Sequence, residues 1–94
     1  MIDITSIHNS EPYIFFKRNY EKALNKNQDY IEAISISSFD KNIKEVNSRF
    51  VNLKKIDKED WIFFSNYESP KAKEINSHNQ ISALIFWNKI GVQI

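Results

Sequence analysis

The sequence predicts a mainly β domain of the α+β class, with one N-terminal helix and one short helix between strands. Three observations point there. Tyr13, Phe16, Tyr20 and Leu24 recur at three- and four-residue steps, which is a helical period. Residues 33–39, Ala-Ile-Ser-Ile-Ser-Ser-Phe, alternate small polar with larger apolar side chains, as a half-buried strand does. The remainder consists of short β-branched and aromatic runs set between polar turns.

The elements follow in order. Residues 1–10 are expected to be irregular. The helix opens near Glu11, with Ser10 as N-cap and Pro12 in the first turn, where a missing N–H costs nothing. It fades in the polar stretch Asn25–Asp29. A first strand covers 33–39 and turns at Asp40-Lys41-Asn42, and a second runs over Val46–Lys55. A turn at Asp57-Lys58-Glu59-Asp60 leads into the aromatic strand Trp61–Ser65. Ser69-Pro70 then caps and starts a short helix reaching to about Asn76. Ile81–Trp87 forms a fourth strand, Asn88-Lys89 turns, and Ile90–Ile94 opens a fifth. Gly91-Val92-Gln93-Ile94 ends inside an apolar run, so the expectation is that a partner chain covers this edge or that a longer chain continues from it.

Ninety-four residues make one domain, read here as a single unit over 1–94. Thirteen basic residues against twelve acidic leave a net charge of +1, too little to draw nucleic acid or membrane by bulk charge. No apolar run approaches the ~18–20 residues that span a bilayer. The polar N-terminus has no basic region before an apolar stretch, so no signal peptide is expected. The absence of cysteine excludes disulfides, zinc–thiolate sites and thiol catalysis, and fits a cytoplasmic protein. One Gly and two Pro exclude Gly-rich phosphate loops.

Three segments carry candidate chemistry. Ser69-Pro70-Lys71-Ala72-Lys73 offers free N–H groups at a helix start beside the charge of Lys71, which suits phosphate. The same residues also read as an ordinary cap with exposed lysines. Arg49 and Lys54 place two cations in an apolar strand. Five residues apart, they point to opposite faces, so one ligand meets both only through a bulge or across the strand end. The bland reading is one solvated cation and one surface ion pair. Phe63-Phe64-Ser65-Asn66 ends a strand with a hydroxyl and an amide that bind a polar ligand or simply close a turn. His8 and His78 stand apart with no second ligand at metal spacing, so no metal site is expected.

The order and spacing of Arg49-Phe50-Val51-Asn52-Leu53-Lys54, Ile62-Phe63-Phe64-Ser65-Asn66, Ser69-Pro70-Lys71, Phe86-Trp87 and Gln93 resemble the pyridoxamine 5′-phosphate oxidase family of FMN-binding split β-barrels. That family's pattern runs R-x-V-L-L-K, F-Y-T-N, S-R-K, an F-x-W-like segment and R-Q-V. Glu11-Pro12 and the aromatic helix after it resemble the family's entry helix. The resemblance covers about Glu11 to Ile94, the N-terminal part of the family pattern, so the fold it implies is a split barrel, whole or in part. It implies FMN as cofactor, with Arg49 and Lys71 on its phosphate and Ser69 beside them. The strand Arg49, Phe50, Val51, Asn52, Leu53, Lys54 would run along the flavin with its backbone. Phe64 and Ser65 stand for the Tyr-Thr pair, Gln93 reaches the flavin from the other side, and Lys54 binds the substrate phosphate. The chain departs from the pattern at Asn52, Pro70 and Val92.

The function so implied is FMN-dependent oxidation of a B6 vitamer phosphate, pyridoxamine or pyridoxine 5′-phosphate, to pyridoxal 5′-phosphate by a cytoplasmic homodimer. The cofactor carries the hydride in such chemistry, so no protein acid or base need stand out, and no catalytic residue is assigned. A non-catalytic flavin-binding or structural dimer module is the alternative. A small sheet that stacks single-stranded nucleic acid is a third reading, which the net charge of +1 disfavours.

Overall fold

The computed structural model describes residues 1–64, 78 and 80–94. Among these residues seven strands and one helix follow in the order β1 (Asp3–Ile7), α1 (Glu11–Asn25), β2 (Ala33–Asp40), β3 (Glu45–Lys58), β4 (Asp60–Phe63), β5 (Ile81–Leu84), β6 (Phe86–Trp87) and β7 (Val92–Gln93). The fold is strand-dominated with a single described helix, as the periodicities require. The expected helix after Ser69 lies outside the described residues.

β3 organises the sheet. Its first half pairs antiparallel with β2, from Glu45 opposite Asp40 to Asn52 opposite Ala33. Its second half pairs parallel with β1 and antiparallel with β4. β5 adds to the far side of β2, giving the order β1-β3-β2-β5 with β4 also on β3. β6 and β7 form a separate two-stranded ribbon. Among the described residues this mixed sheet does not close, in keeping with part of a split barrel.

One face of α1 covers the sheet. Phe16, Asn19, Tyr20 and Ala23 are its buried residues, at the helical spacing expected. Phe16 packs against Trp61 and Trp87, with ring centroids 4.6 and 5.6 Å apart, and Tyr20 packs on Trp87 at 5.9 Å. Burying a side chain of the size of Phe16 contributes about 1.5–3 kcal/mol, a large share for a domain this small. Ile34, Ile36, Val51, Leu53 and Ile56 complete the floor of this core.

Several boundaries differ from the sequence expectation. Residues 3–7 form a strand, because the second half of β3 offers them a partner more than fifty residues away. Ser10 precedes α1 as expected, and its carbonyl accepts the N–H groups of Tyr13 and Ile14. Its side chain makes no cap, because Ser10 Oγ sits 2.9 Å from His8 Nδ1 instead. β3 runs on to Lys58, whose φ of 57° makes the tight corner into β4. The apolar run 81–87 breaks at Ile85, which leaves β5 and pairs with Ile94, each N–H bonding the other carbonyl at 2.8 and 2.9 Å.

Candidate functional site

Alternation along β3 sorts the predicted strand into two faces. Val51 and Leu53 are buried in the core and Arg49 is half-buried on the same side. Phe50, Asn52 and Lys54 are exposed on the other. The side chains of Val51 and Leu53 therefore serve the core, and these two residues have only backbone to offer a ligand. β2 occupies one edge of β3 over 45–52, β4 pairs only from Leu53 onward, and among the described residues no strand pairs the opposite edge of 45–52.

A groove of about 610 Å³ lies on the exposed face. Phe50 and Asn52 of β3 and Ala33 of β2 form its floor, since Asn52 pairs with Ala33 and directly opposed residues share a face. Gln28 and Tyr30, from the segment after α1, make one wall, and Phe86 and Asn88 of the β6–β7 ribbon make the other. Phe50 is 77% exposed and Phe86 63%. Gln93 pairs with Phe86, so it shares that face of the ribbon without lining the groove. The structure thus brings Phe50, Asn52 and Gln93 to one side of the molecule.

The chemistry of this groove suits a planar heteroaromatic ring. Tyr30, Phe50 and Phe86 supply apolar faces, and the carboxamide of Asn52 supplies a donor and an acceptor for a polar ring edge. An isoalloxazine fits that description. Among the described residues no cation lines the groove, so of these none offers an anionic tail its counter-charge there. Arg49 lies on the opposite face, where its Nη1 donates to Ser38 Oγ at 3.4 Å beside the buried end of β2. Arg49 and the groove residues Phe50 and Asn52 thus lie on opposite faces of β3, and the groove alone does not bring Arg49 to a ligand held there.

The remaining predicted residues fall in three places. Lys54 is exposed where the β3–β4 register shifts, between Leu53 opposite Phe63 and Lys55 opposite Ile62. A bulge is one of the two ways in which one ligand can meet both Arg49 and Lys54, yet Lys54 is exposed while Arg49 is half-buried on the core side. Phe64 follows β4 and is 74% exposed. Ser65, Ser69 and Lys71 lie outside the described residues, and so does the pairing of Arg49 with Lys71 on a phosphate. His8 sits 3.6 Å from Glu59, and His78 meets Phe39 edge-on at 5.6 Å.

Sequence reading missed Gln28, Tyr30, Ala33 and Asn88 as groove residues, and gave Phe86 no site role beyond its place in the Phe86-Trp87 segment. Tyr30 carried a faint signal: an aromatic in a polar connection with no helical or strand period to absorb it. Its φ of 52° turns the chain from α1 into β2 and leaves the ring 87% exposed.

No family model matches the chain. Its sequence is similar to curated proteins named pyridoxine/pyridoxamine 5′-phosphate oxidase. The protein of Colwellia psychrerythraea is 43% identical over 63 residues, 67% of this chain and 29% of the relative. That of Prochlorococcus marinus is 34% identical over 85 residues, 90% of this chain and 37% of the relative. That of Leptospira interrogans is 29% identical over 85 residues, covering 90% and 39%. A match of 85 among 94 residues includes β2, β3 and β4 wherever its ends fall. The chain spans about 29–39% of the length of these relatives.

Proposed function

We propose that this chain, which belongs to the pyridoxine/pyridoxamine 5′-phosphate oxidase family, binds FMN along β3 and serves the oxidation of a B6 vitamer phosphate to pyridoxal 5′-phosphate. The observation that carries the reading is the groove over Phe50 and Asn52 on the exposed face of β3, a strand within the span shared with those relatives. Bound FMN supplies the hydride acceptor. The chain's own residues bind and orient. Phe50 and Asn52, with Gln93 nearby, hold the ring. Arg49 and Lys71 hold the phosphate, with Phe64, Ser65 and Ser69 as further contacts carried over from the family pattern. Lys54 holds the phosphate of the substrate.

The proposed working form is a homodimer in the cytoplasm. Val46, Phe50, Leu84 and Phe86 leave an exposed apolar surface that a second copy would cover. No helix of the described residues is long and apolar enough to cross a membrane.

Titration of the purified chain with FMN and riboflavin tests the reading. Both should bind, and FMN more tightly. Arg49→Ala and Lys71→Ala should each weaken FMN roughly ten- to hundredfold, since a charge-assisted hydrogen bond is worth about 1.5–3 kcal/mol, and leave riboflavin nearly unchanged. A chain that ignores both flavins sinks the proposal. Flavin uptake with no bleaching by pyridoxamine 5′-phosphate selects a binding module without turnover.

A further inference from the structure

Gln28 lines the groove, yet both its side-chain N–H bonds are committed within the protein. Its backbone N–H donates to the Ala23 carbonyl at 3.0 Å, which fixes it to the last turn of α1. Its Nε2 donates to Asn88 Oδ1 at 2.8 Å and to the Asp29 carbonyl at 3.0 Å, while its Oε1 accepts the Lys89 N–H at 2.9 Å. Lys89 Nζ returns toward the same segment, donating to the Asn27 carbonyl at 2.8 Å and lying 3.9 Å from the Asp29 carboxylate. The φ of 55° at Asn27 makes the sharp exit from α1 that aims Gln28 at the ribbon.

The ribbon it reaches needs holding. β6 and β7 have two residues each and pair with no other strand among the described residues, and an isolated two-stranded ribbon is marginal in water. Its base is anchored: Trp87 is buried in the core and its Nε1 donates to the Ile31 carbonyl at 3.0 Å. Its Asn88–Lys89 turn is held by Gln28 and by Lys89 itself. Phe86, the wall of the groove, lies beside that turn, with Gln93 opposite it.

We infer that Gln28 is a positioning residue, whose carboxamide clamps the ribbon turn to the end of α1 and thereby sets the separation of Phe86 from Phe50, the width open to a planar ring. The inference rests on the flavin reading for the identity of that ring. It makes Gln28 act on ring binding through Asn88 and Lys89, without touching the phosphate end.

Gln28→Ala, Asn88→Ala and the double variant of the whole chain test it by two separate readouts. By NMR, Gln28→Ala should speed exchange of the Lys89 amide, which loses its acceptor, and both single variants should shift the Gln93 side-chain amide, with the β2–β3 amides unmoved. In flavin titrations each should weaken FMN and riboflavin equally, about tenfold. The double variant should lose no more than the worse single one, because both remove the same clamp. Two results overturn the inference: an unmoved Lys89 amide in Gln28→Ala together with an unmoved Gln93 side chain in both single variants, or flavin affinities that stay at the wild-type value while the ribbon loosens. If wild type takes up no flavin, it is the flavin reading that falls, and the NMR readout alone then upholds or overturns the clamp. Should Gln28→Ala fail to fold, Asn88→Ala, which removes the Gln28–Asn88 bond and leaves the Lys89 N–H bond to Gln28 in place, carries the test through the Gln93 side-chain amide and the flavin affinities.

Discussion

The phenol oxygen of Tyr20 accepts the backbone N–H of Ile2 at 2.8 Å, and both residues are buried. The middle of α1 is thereby tied to the residue that leads into β1. Tyr20→Phe removes the acceptor and strands a buried donor, which costs about 1–3 kcal/mol. For a domain of this size each kcal/mol lowers Tm by roughly 4–8 °C. Thermal unfolding followed by the fluorescence of Trp61 and Trp87 is the check, and an unchanged Tm would show that water replaces the phenol.

Phe16 touches both tryptophans and Tyr20, and is 1% exposed. Phe16→Ala should cost about 3–5 kcal/mol through lost burial and the cavity left behind. That is comparable with the whole stability of a small domain. Phe16→Leu, which refills much of the space, should retain a cooperative transition. The two urea midpoints decide the matter, and similar values would mean that the aromatic contacts contribute little.

Phe50 is the opposite case. With its ring exposed, Phe50→Ser should change stability by less than about 0.5 kcal/mol. Loss of one stacking face, worth about 0.5–1.5 kcal/mol, should weaken riboflavin roughly two- to tenfold. Quenching of flavin fluorescence measures the second effect and urea unfolding the first. Unaltered riboflavin affinity would remove the ring from this groove.

Lys54 should matter to substrate and not to flavin. Lys54→Ala should keep the flavin spectrum and raise the KM for pyridoxamine 5′-phosphate roughly ten- to hundredfold, the loss of one charge-assisted contact to phosphate. If the variant instead released its flavin and showed an ordinary KM once reconstituted, Lys54 would belong to the cofactor.

Local sequence was enough for much of the frame. The three- and four-residue steps from Tyr13 to Leu24 define α1 and its buried stripe, because a helix turns its side chains onto one face at that period. Alternation defines β2 and most of β3 for the equivalent reason at period two, and it separates the core side of Arg49, Val51 and Leu53 from the exposed side of Phe50, Asn52 and Lys54. It also sets Arg49 and Lys54 on opposite faces, a separation the structure keeps.

Tertiary structure decided the rest. Asp3–Ile7 is a strand only because Lys55–Lys58 offers hydrogen bonds that no local pattern announces. The groove exists because Gln28 meets Asn88 across sixty residues of chain, and because Tyr30 turns out of α1 with a positive φ. Short-range periodicity records which face of an element is apolar, since that depends on neighbours three or four residues away. It holds no record of which distant turn a carboxamide will reach, since that depends on where the folded backbone brings the two ends together.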